Sequence, residues 1–566
     1  MIRYLVAAVL TVGFFLRLWG VDYGLPFALI GDEVGMLGGA LRMLELRSLI
    51  PALHPEAMSI LYYPVVLPYL YLAAMTPVLG GLYVMHGLPQ MDQFGLIVLG
   101  NLDAIWLTAR LTSVAMSAAT LYVIYRIGAA LFRSPLAGLV AASAMTFDYL
   151  HIMAGHTARH WSATVFLIWA VAWLSLRYFE RPDMRKAVVI GLLAGAGFGV
   201  SYIGALGLGF GVVSHLGAWR EGRTPLLGRD ALTIAGCCIA LIVLTTLLYP
   251  QPIIRLGTNG ILPFAERKTM AGWWNATVFY ATAIRLSNPA LLVAAAAGLS
   301  AAVLTRRWHL VGGALFLMLF FTAFLYCAMP LEDRYIVPLS PVLALLGGFA
   351  VSDAWQRLQR IPWAQAAVGL LAAAVLAYPA AVSFRAAQLL AQPDTRLVAK
   401  KWLEDNLPAD AAVAMNVDVV RLTPSLDALN TQKQLDPTSL NAGDRLRLAR
   451  GAAGGTAERN VLNLWQLSPA VLKAINSEAF ADRLLDQGYR YYVADGFGAR
   501  QAPELHQSLM KRSKEIARFS SGSSAFPPPY LFSRDLVPYA MHHLFSSVRL
   551  GPEVVVMQAL EVKRSN

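Results

Sequence analysis

The sequence predicts a polytopic α-helical membrane protein with about eleven transmembrane helices and a C-terminal extracytoplasmic α/β domain. Three observations predict it. Of the 566 residues, 57% are hydrophobic and only 14% charged, where a soluble chain carries about a quarter charged; the mean hydropathy is +0.53. The charges crowd after about Pro379, which divides the chain into a lipid-embedded part, 1–384, and a water-soluble part, 385–566. Gly and Pro recur inside the apolar runs, which transmembrane helices tolerate.

A hydrocarbon core about 30 Å thick is crossed by about 20 apolar residues in a helix. Runs of that kind fall near 4–21, 106–125, 136–152, 161–178, 187–203, 204–219, 231–249, 289–304, 310–328, 336–352 and 364–382. The first begins just after Arg3 like a signal peptide, yet it has no small-x-small cleavage site and reads as a retained helix. Lys and Arg set the orientation, because positive loops stay cytoplasmic. With the N-terminus cytoplasmic, the cytoplasmic loops hold Arg126/Arg133, Arg177/Arg181/Arg185/Lys186, Arg220/Arg223/Arg229, Arg306/Arg307 and Arg357/Arg360. The opposite connections, around His151–His160 and Pro330–Arg334, are poorer in positive charge. An odd number of spans then places the C-terminal domain outside, in the periplasm of a Gram-negative cell. The expected location is the bacterial cytoplasmic (inner) membrane.

Loop placement also accounts for the net charge of +12 and the pI near 9.6 without a nucleic-acid partner. Cys237, Cys238 and Cys327 lie in or beside apolar runs, two of them adjacent, which fits neither a disulfide framework nor a metal spacing. Two outer segments are long, about 21–105 and 250–288. Loops of that length are usually structured and functional. Leu61-Tyr62-Tyr63-Pro64 and Trp273-Trp274 suit helices lying at the membrane interface, or plain aromatic anchors. In the soluble part, 394–406 reads as a helix ending at Leu407-Pro408. Ala412–Val417, Tyr489–Ala494 and Val554–Leu560 read as strands of an α/β domain whose strand order stays open. Gly451–Gly455 is a loop without a phosphate-binding fingerprint.

Candidate chemistry starts at Asp32-Glu33, in the first outer loop. A carboxylate there has the chemistry of a general base; equally, Asp32 has the chemistry of a cap for a helix beginning near Glu33. A second candidate is Glu332-Asp333-Arg334-Tyr335 at the outer mouth of a late span. Its arginine suits bidentate recognition of a phosphate, or snorkels to headgroups, or pairs with Glu332 or Asp333. Arg17, Arg110 and Arg159 stand near other outer helix ends with the same double reading, and together they would make an anion site only if they converge. His156 and His160, four apart, would share one face of a helix, with His151 nearby; no Asp, Glu or Cys at ligand spacing joins them. No Gly-x-Ser-x-Gly elbow occurs.

Taken in order, these features resemble the GT-C fold membrane glycosyltransferases, the group containing the protein O-mannosyltransferases and the lipid A aminoarabinose transferase. The resemblance runs over the membrane part and the start of the outer domain. It rests on Arg17, Asp32-Glu33, Tyr62-Tyr63-Pro64…Pro68-Tyr69, Ala109-Arg110-Leu111, His156-Thr157-Ala158-Arg159-His160 and Arg334-Tyr335…Pro338…Pro341. Asp394-Thr395-Arg396…Trp402…Asn406-Leu407-Pro408 continues it beyond the last span.

The resemblance implies a GT-C-like catalytic membrane domain that moves a sugar, with inversion, from a polyprenyl-phosphate carrier to an extracytoplasmic lipid, protein or glycan. Asp32 would be the base, supported by Glu33. Arg334, Tyr335, Arg159 and Arg110 would hold the carrier phosphate, with Tyr62, Tyr63, His156, His160 and Glu332 as further cavity residues. The implied partners are membrane lipids, the polyprenyl-phosphate sugar and the acceptor. No cofactor beyond that donor is indicated, no metal ligand is assigned, and nothing in the pattern calls for a divalent cation. Two positions depart from the family. His160-Trp161-Ser162 stands where relatives often carry an Asp, so a second carboxylate would come from elsewhere, for example Glu332 or Glu266. Gly199-Val200-Ser201-Tyr202 stands where many have Thr-Lys-Tyr, removing a lysine from the donor phosphate. Two other classes use similar features: a non-catalytic glycolipid transporter or envelope-glycan scaffold, and a lipid-pyrophosphate glycan ligase or polymerase. A transporter would show internal repeats, and none is visible; a ligase would lean on arginines and histidines.

Overall fold

The computed structural model describes residues 2–27, 29–61, 63–258, 269–329, 331–451, 458–522 and 542–560. Tyr62 and Glu266, both named above, lie outside the described residues. The apolar runs become helices: α1 (Ile2–Leu18), α2 (Glu33–Glu45), α3 (Val66–Met85), α4 (Met91–Gly100), α5 (Leu102–Leu131), α6 (Pro135–Thr146), α7 (Tyr149–Gly155), α8 (His160–Glu180), α9 (Met184–Val200) and α10 (Gly207–Arg220). There follow α11 (Arg229–Leu248), α12 (Gln251–Thr258), α13 (Met270–Ser287), α14 (Pro289–Leu304), α15 (Trp308–Ala328), α16 (Ser340–Arg357) and α17 (Pro362–Leu390). A 3₁₀ turn, Asp333–Leu339, leads into α16.

Among the described residues, eight helices are long and apolar enough to cross a membrane, or ten when the bent pairs α6/α7 (69°) and α13/α14 (114°) each count as one span. The chain is an integral membrane protein. α1 and α9, both expected to span, are 17-residue helices, at the short end of what crosses a bilayer. The segment 21–105, expected as an outer loop, contains α2, α3 and α4. By length and composition α3 also qualifies as a span, and it packs on α5, α4 and the end of α9. Val66 occupies the space that Gly199 leaves at the end of α9, and the Tyr71 hydroxyl lies 3.1 Å from Ser113 of α5. Tyr83 meets Phe94 of α4 edge-on at 5.2 Å.

Close packing explains the Gly-rich stretch of α9. A Cβ on Gly191 would lie 2.5 Å from the Ile234 carbonyl oxygen, and one on Gly195 2.9 Å from that of Cys238. These glycines let α9 and α11 meet backbone to backbone. Cys238 sits in that seam, and all three cysteines are free.

The soluble part holds α18 (Thr395–Asn406), β1 (Ala412–Asn416), α19 (Leu426–Leu435), α20 (Ala442–Arg450), β2 (Asn460–Asn463), α21 (Pro469–Ile475) and α22 (Glu478–Asp486). It continues with β3 (Tyr491–Asp495), α23 (Gly496–Gln501), α24 (Pro503–Lys511), β4 (Ser513–Phe519), α25 (His542–Ser546) and β5 (Val554–Ala559). The sheet order is β2-β1-β3-β5-β4, parallel at β2–β1 and β1–β3, antiparallel at β3–β5 and β5–β4. β1 and β3 are buried along nearly their whole length, as inner parallel strands require. The edge strands β2 and β4 were not legible as strands: β2 has four residues, and β4 carries Lys514, Glu515 and Arg518, charges that protect an edge. The expected boundary at 384/385 falls inside α17. One hydrophobic core runs from Leu16, Met153 and Ile336 of the bundle to Val413, Val493 and Val554 of the sheet. The soluble domain is therefore docked on the bundle rather than tethered to it.

Candidate active site

Asp32 follows the turn after α1 and takes the left-handed conformation, φ 68°, at the start of α2. Asp tolerates that region better than most residues. Its side chain makes no capping bond to α2, which removes the capping alternative. The carboxylate instead reaches two arginines. Arg159 forms an ion pair with it through Nη2, and Nη2 of Arg334 lies 3.4 Å from the same oxygen. The Asp32 side chain is 50% exposed, against 3% for Arg159 and 10% for Arg334. The acid thus stands open at the front, with both cations behind it.

Arg334 is held on the 3₁₀ turn, where its backbone N–H donates to the Asp333 carboxylate at 2.7 Å and its guanidinium pairs with Glu332. Glu332 therefore brings a second carboxylate to the group. Four rings wall the site: Tyr63 meets His160 at 4.2 Å and His160 meets Trp161 at 4.2 Å, both tilted, and Trp161 meets Tyr335 edge-on at 5.0 Å. Burial pushes the Tyr63 phenol up from its ordinary value, while Arg159 and Arg334 pull it down. Tyr63 stays a neutral hydrogen-bond donor beside the arginines.

Arg110, expected at the carrier phosphate, instead pairs with Glu33, the residue expected to support Asp32. Both side chains are fully buried and face each other in a two-pronged pair, Nε to Oε1 at 3.0 Å and Nη2 to Oε2 at 2.8 Å. Glu33 also accepts from the Ala158 N–H at 2.7 Å, and Arg110 donates to the carbonyls of Val21 (2.9 Å) and Tyr23 (2.7 Å). Arg110 is thus saturated by protein groups, away from any phosphate, and Glu33 has no open face for an acceptor. Two adjacent residues on a helix start point apart, so Asp32 looks outward and Glu33 inward. The lock still serves the site, because it pins the backbone next to Asp32 and next to Arg159.

Tyr23 carries the lock to the soluble domain. Its hydroxyl donates to Asp394 at 2.5 Å, and Arg396 grips Asp394 with Nε at 2.8 Å and Nη2 at 3.0 Å. Nothing in the spacing of these residues revealed this chain of contacts.

Arg17 also leaves the candidate group. It is buried where α6 breaks into α7, donating to the carbonyls of Gly13 (2.8 Å) and Met145 (3.0 Å), to Ser117 (2.7 Å) and to His151 (2.7 Å). A helix break frees carbonyls that lipid cannot satisfy, and this arginine satisfies them. His156 and His160 do not share a helical face: His156 ends α7 and His160 opens α8. The His156 ring nitrogens lie 2.9 Å from the Ile152 carbonyl and 3.0 Å from the Trp19 carbonyl, whereas His160 joins the ring wall. Among the described residues no three His, Cys, Asp or Glu side chains gather as a metal site. Of the four arginines, then, Arg159 and Arg334 converge on Asp32, and Arg17 and Arg110 do not.

No family model matches the chain, and no curated protein matches its sequence. Solved structures do. The chain is similar to an oligosaccharyltransferase from Archaeoglobus fulgidus in complex with Zn and sulfate, at 11% identity and TM-score 0.40, over 90% of this chain and 71% of that one. It is similar to the arabinofuranosyltransferase AftD from Mycobacteria, at 16% identity and TM-score 0.41, over 99% of this chain but only 41% of AftD. It is also similar to ArnT from Cupriavidus metallidurans, solved in the apo state and bound to undecaprenyl phosphate, at 14% identity and TM-score 0.42, over 91% of this chain and 96% of ArnT.

Proposed function

We propose that this chain is an inverting membrane glycosyltransferase that moves a sugar from a polyprenyl-phosphate carrier to an extracytoplasmic lipid, protein or glycan. The observation that carries the reading is the meeting of Asp32, Arg159 and Arg334, three residues far apart in sequence, at one end of the bundle. Asp32 takes the proton from the acceptor O–H or N–H as its heteroatom bonds to the anomeric carbon. The bond from that carbon to the phosphate oxygen breaks, and the polyprenyl phosphate leaves with the electron pair. Arg334 and Arg159 stabilise the charge growing on the leaving phosphate, and Tyr63 and Tyr335 stand beside them as hydroxyl donors. A bound phosphate competes with Asp32 for the guanidiniums, which frees the carboxylate as the donor arrives. Glu332 keeps Arg334 oriented.

Transfer by the purified protein, supplied with polyprenyl-phosphate sugars, tests this reading. Arg334→Ala is expected to lower kcat/KM for the donor by about a hundredfold or more. Arg334→Lys, which keeps the charge but not the fork, is expected to lose less. Small and equal losses would mean that the arginine only snorkels.

The site end is proposed to face away from the cytoplasm, in a bacterial inner membrane. The basic loops support this by gathering at the other end, where Arg126 lies 4.9 Å from the Trp173 ring and Arg307 lies 5.1 Å from that of Phe349. An alkaline phosphatase fused after Asn566 is expected to be active. A fusion partner that works only in the cytoplasm and is active there would reverse the orientation.

A further inference from the structure

The stretch that carries Asp32 leaves α1 against the helix that leads into the soluble domain. Gly20 takes a φ of +83° there, a conformation that favours glycine. A Cβ on it would lie 2.6 Å from the Leu390 Cβ and 2.7 Å from the Ala391 nitrogen, at the end of α17. Short turns follow, with the Tyr23 N–H donating to Gly20 and the Leu25 N–H to Asp22, each at 3.1 Å. Tyr23, Leu29 and Ile30 are buried in one core, so the stretch packs as a unit. Glu33 fixes Asp32 from the helix side through Arg110. The left-handed turn at Asp32 depends equally on the peptide that enters it, and that peptide belongs to the Tyr23 stretch.

The soluble domain holds its own end of the contact rigidly. Asp394 is fully buried, is gripped by Arg396, and caps α18 by accepting from the Arg396 N–H at 2.9 Å. Arg396 also pairs with Asp418 at 2.7 Å, and the Thr395 N–H donates to the Leu550 carbonyl at 3.0 Å. None of these bonds uses Tyr23, so Asp394 keeps its place without the tyrosine. Tyr23 spans the two parts, with its carbonyl on Arg110 and its hydroxyl on Asp394.

We propose that Tyr23 is a positioning residue for Asp32, through which the docked soluble domain fixes where the base stands against Arg159 and Arg334. This rests on the reading of Asp32 as the base. The two arginines are carried by other elements, Arg159 at the start of α8 and Arg334 on the 3₁₀ turn. Releasing Tyr23 therefore shifts the base and leaves the phosphate side where it is. The signature is a fall in kcat with the donor KM kept.

The test uses full-length Tyr23→Phe, which keeps the ring in its core and removes only the hydroxyl. Hydrogen exchange over residues 20–35 is expected to quicken about tenfold, as for loss of a hydrogen bond to a charged group. That stretch includes the Gly35 N–H, which bonds the Asp32 carbonyl at 3.2 Å. Exchange in β1 and β3 is expected to stay as in wild type. In the transfer assay kcat is expected to fall about tenfold or more, with the donor KM within about twofold. If that variant does not fold, Asp394→Asn is read in the same way, since Arg396 keeps its pair with Asp418. Unchanged exchange over 20–35, an equal rise in β1 and β3, wild-type kcat, or a loss carried by KM alone would overturn the proposal. Asp32→Asn measured alongside keeps the two failures apart. Wild-type transfer in that variant removes the base, whereas unchanged exchange in Tyr23→Phe removes the tether.

Discussion

Asp32→Asn is expected to lower sugar transfer by about a hundredfold to ten-thousandfold, the range for loss of a positioned general base. Its thermal stability is expected to fall far less than that of Glu33→Gln, since the Asp32 carboxylate is half exposed and Asn still offers Arg159 an acceptor. Asn is the informative replacement because it shares the tolerance of Asp for the left-handed region that this position adopts. Its side-chain oxygen still accepts from Arg159, so the arginines keep a partner while the proton acceptor is gone. Ala would confound the result by adding backbone strain. The check is the initial rate of transfer alongside thermal unfolding of the same preparation. Wild-type turnover in Asp32→Asn would remove the base assignment, whatever the arginines do.

The neighbouring substitution should behave in the opposite way. Glu33→Gln leaves the Arg110 guanidinium charged with no counter-charge in a place that water does not reach. Breaking one side of a buried pair costs about 3–5 kcal/mol, so the expected result is a large loss of thermal stability and of folded yield. Replacing Glu33 and Arg110 together by apolar residues of similar volume should recover much of that loss, because no unpaired charge remains. A double-mutant cycle measured by thermal unfolding checks both statements. If Glu33→Gln unfolded like wild type yet lost transfer, Glu33 would be a chemical group and the lock would be misread.

These paired outcomes show where reading along the chain stops. Asp32 and Glu33 are the same chemistry at adjacent positions, and nothing in the sequence separates their roles. The backbone separates them: the left-handed turn at Asp32 sends one carboxylate outward, and the first turn of α2 carries the other into the core. The arginines divide in the same manner. All four read in the sequence as standing near outer helix ends, but Arg17 answers a helix break and Arg110, inside α5, answers Glu33, while Arg159 and Arg334 face Asp32. Sequence spacing carries no record of this, because the partners are 77 to 302 positions apart.

The histidines are the case where local reasoning misled. A four-residue spacing puts two side chains on one face only if a single helix runs through both. Here α7 ends and α8 begins between His156 and His160. In the soluble domain the inner strands β1, β3 and β5 were legible, since buried strands read as apolar runs. The edge strands were not, since one is very short and the other is charged.

By itself the sequence determined that the chain is a helical membrane protein with an α/β tail. It also determined that acidic and basic residues sit at the helix ends away from the basic loops. Both follow from local physics: lipid demands long apolar helices, and water demands charge at their ends. Only the tertiary structure decided which of those charges meet. Ion pairing falls off over a few ångströms, and only the folded bundle brings Asp32 and Arg334 to 3.4 Å while sealing Glu33 against Arg110.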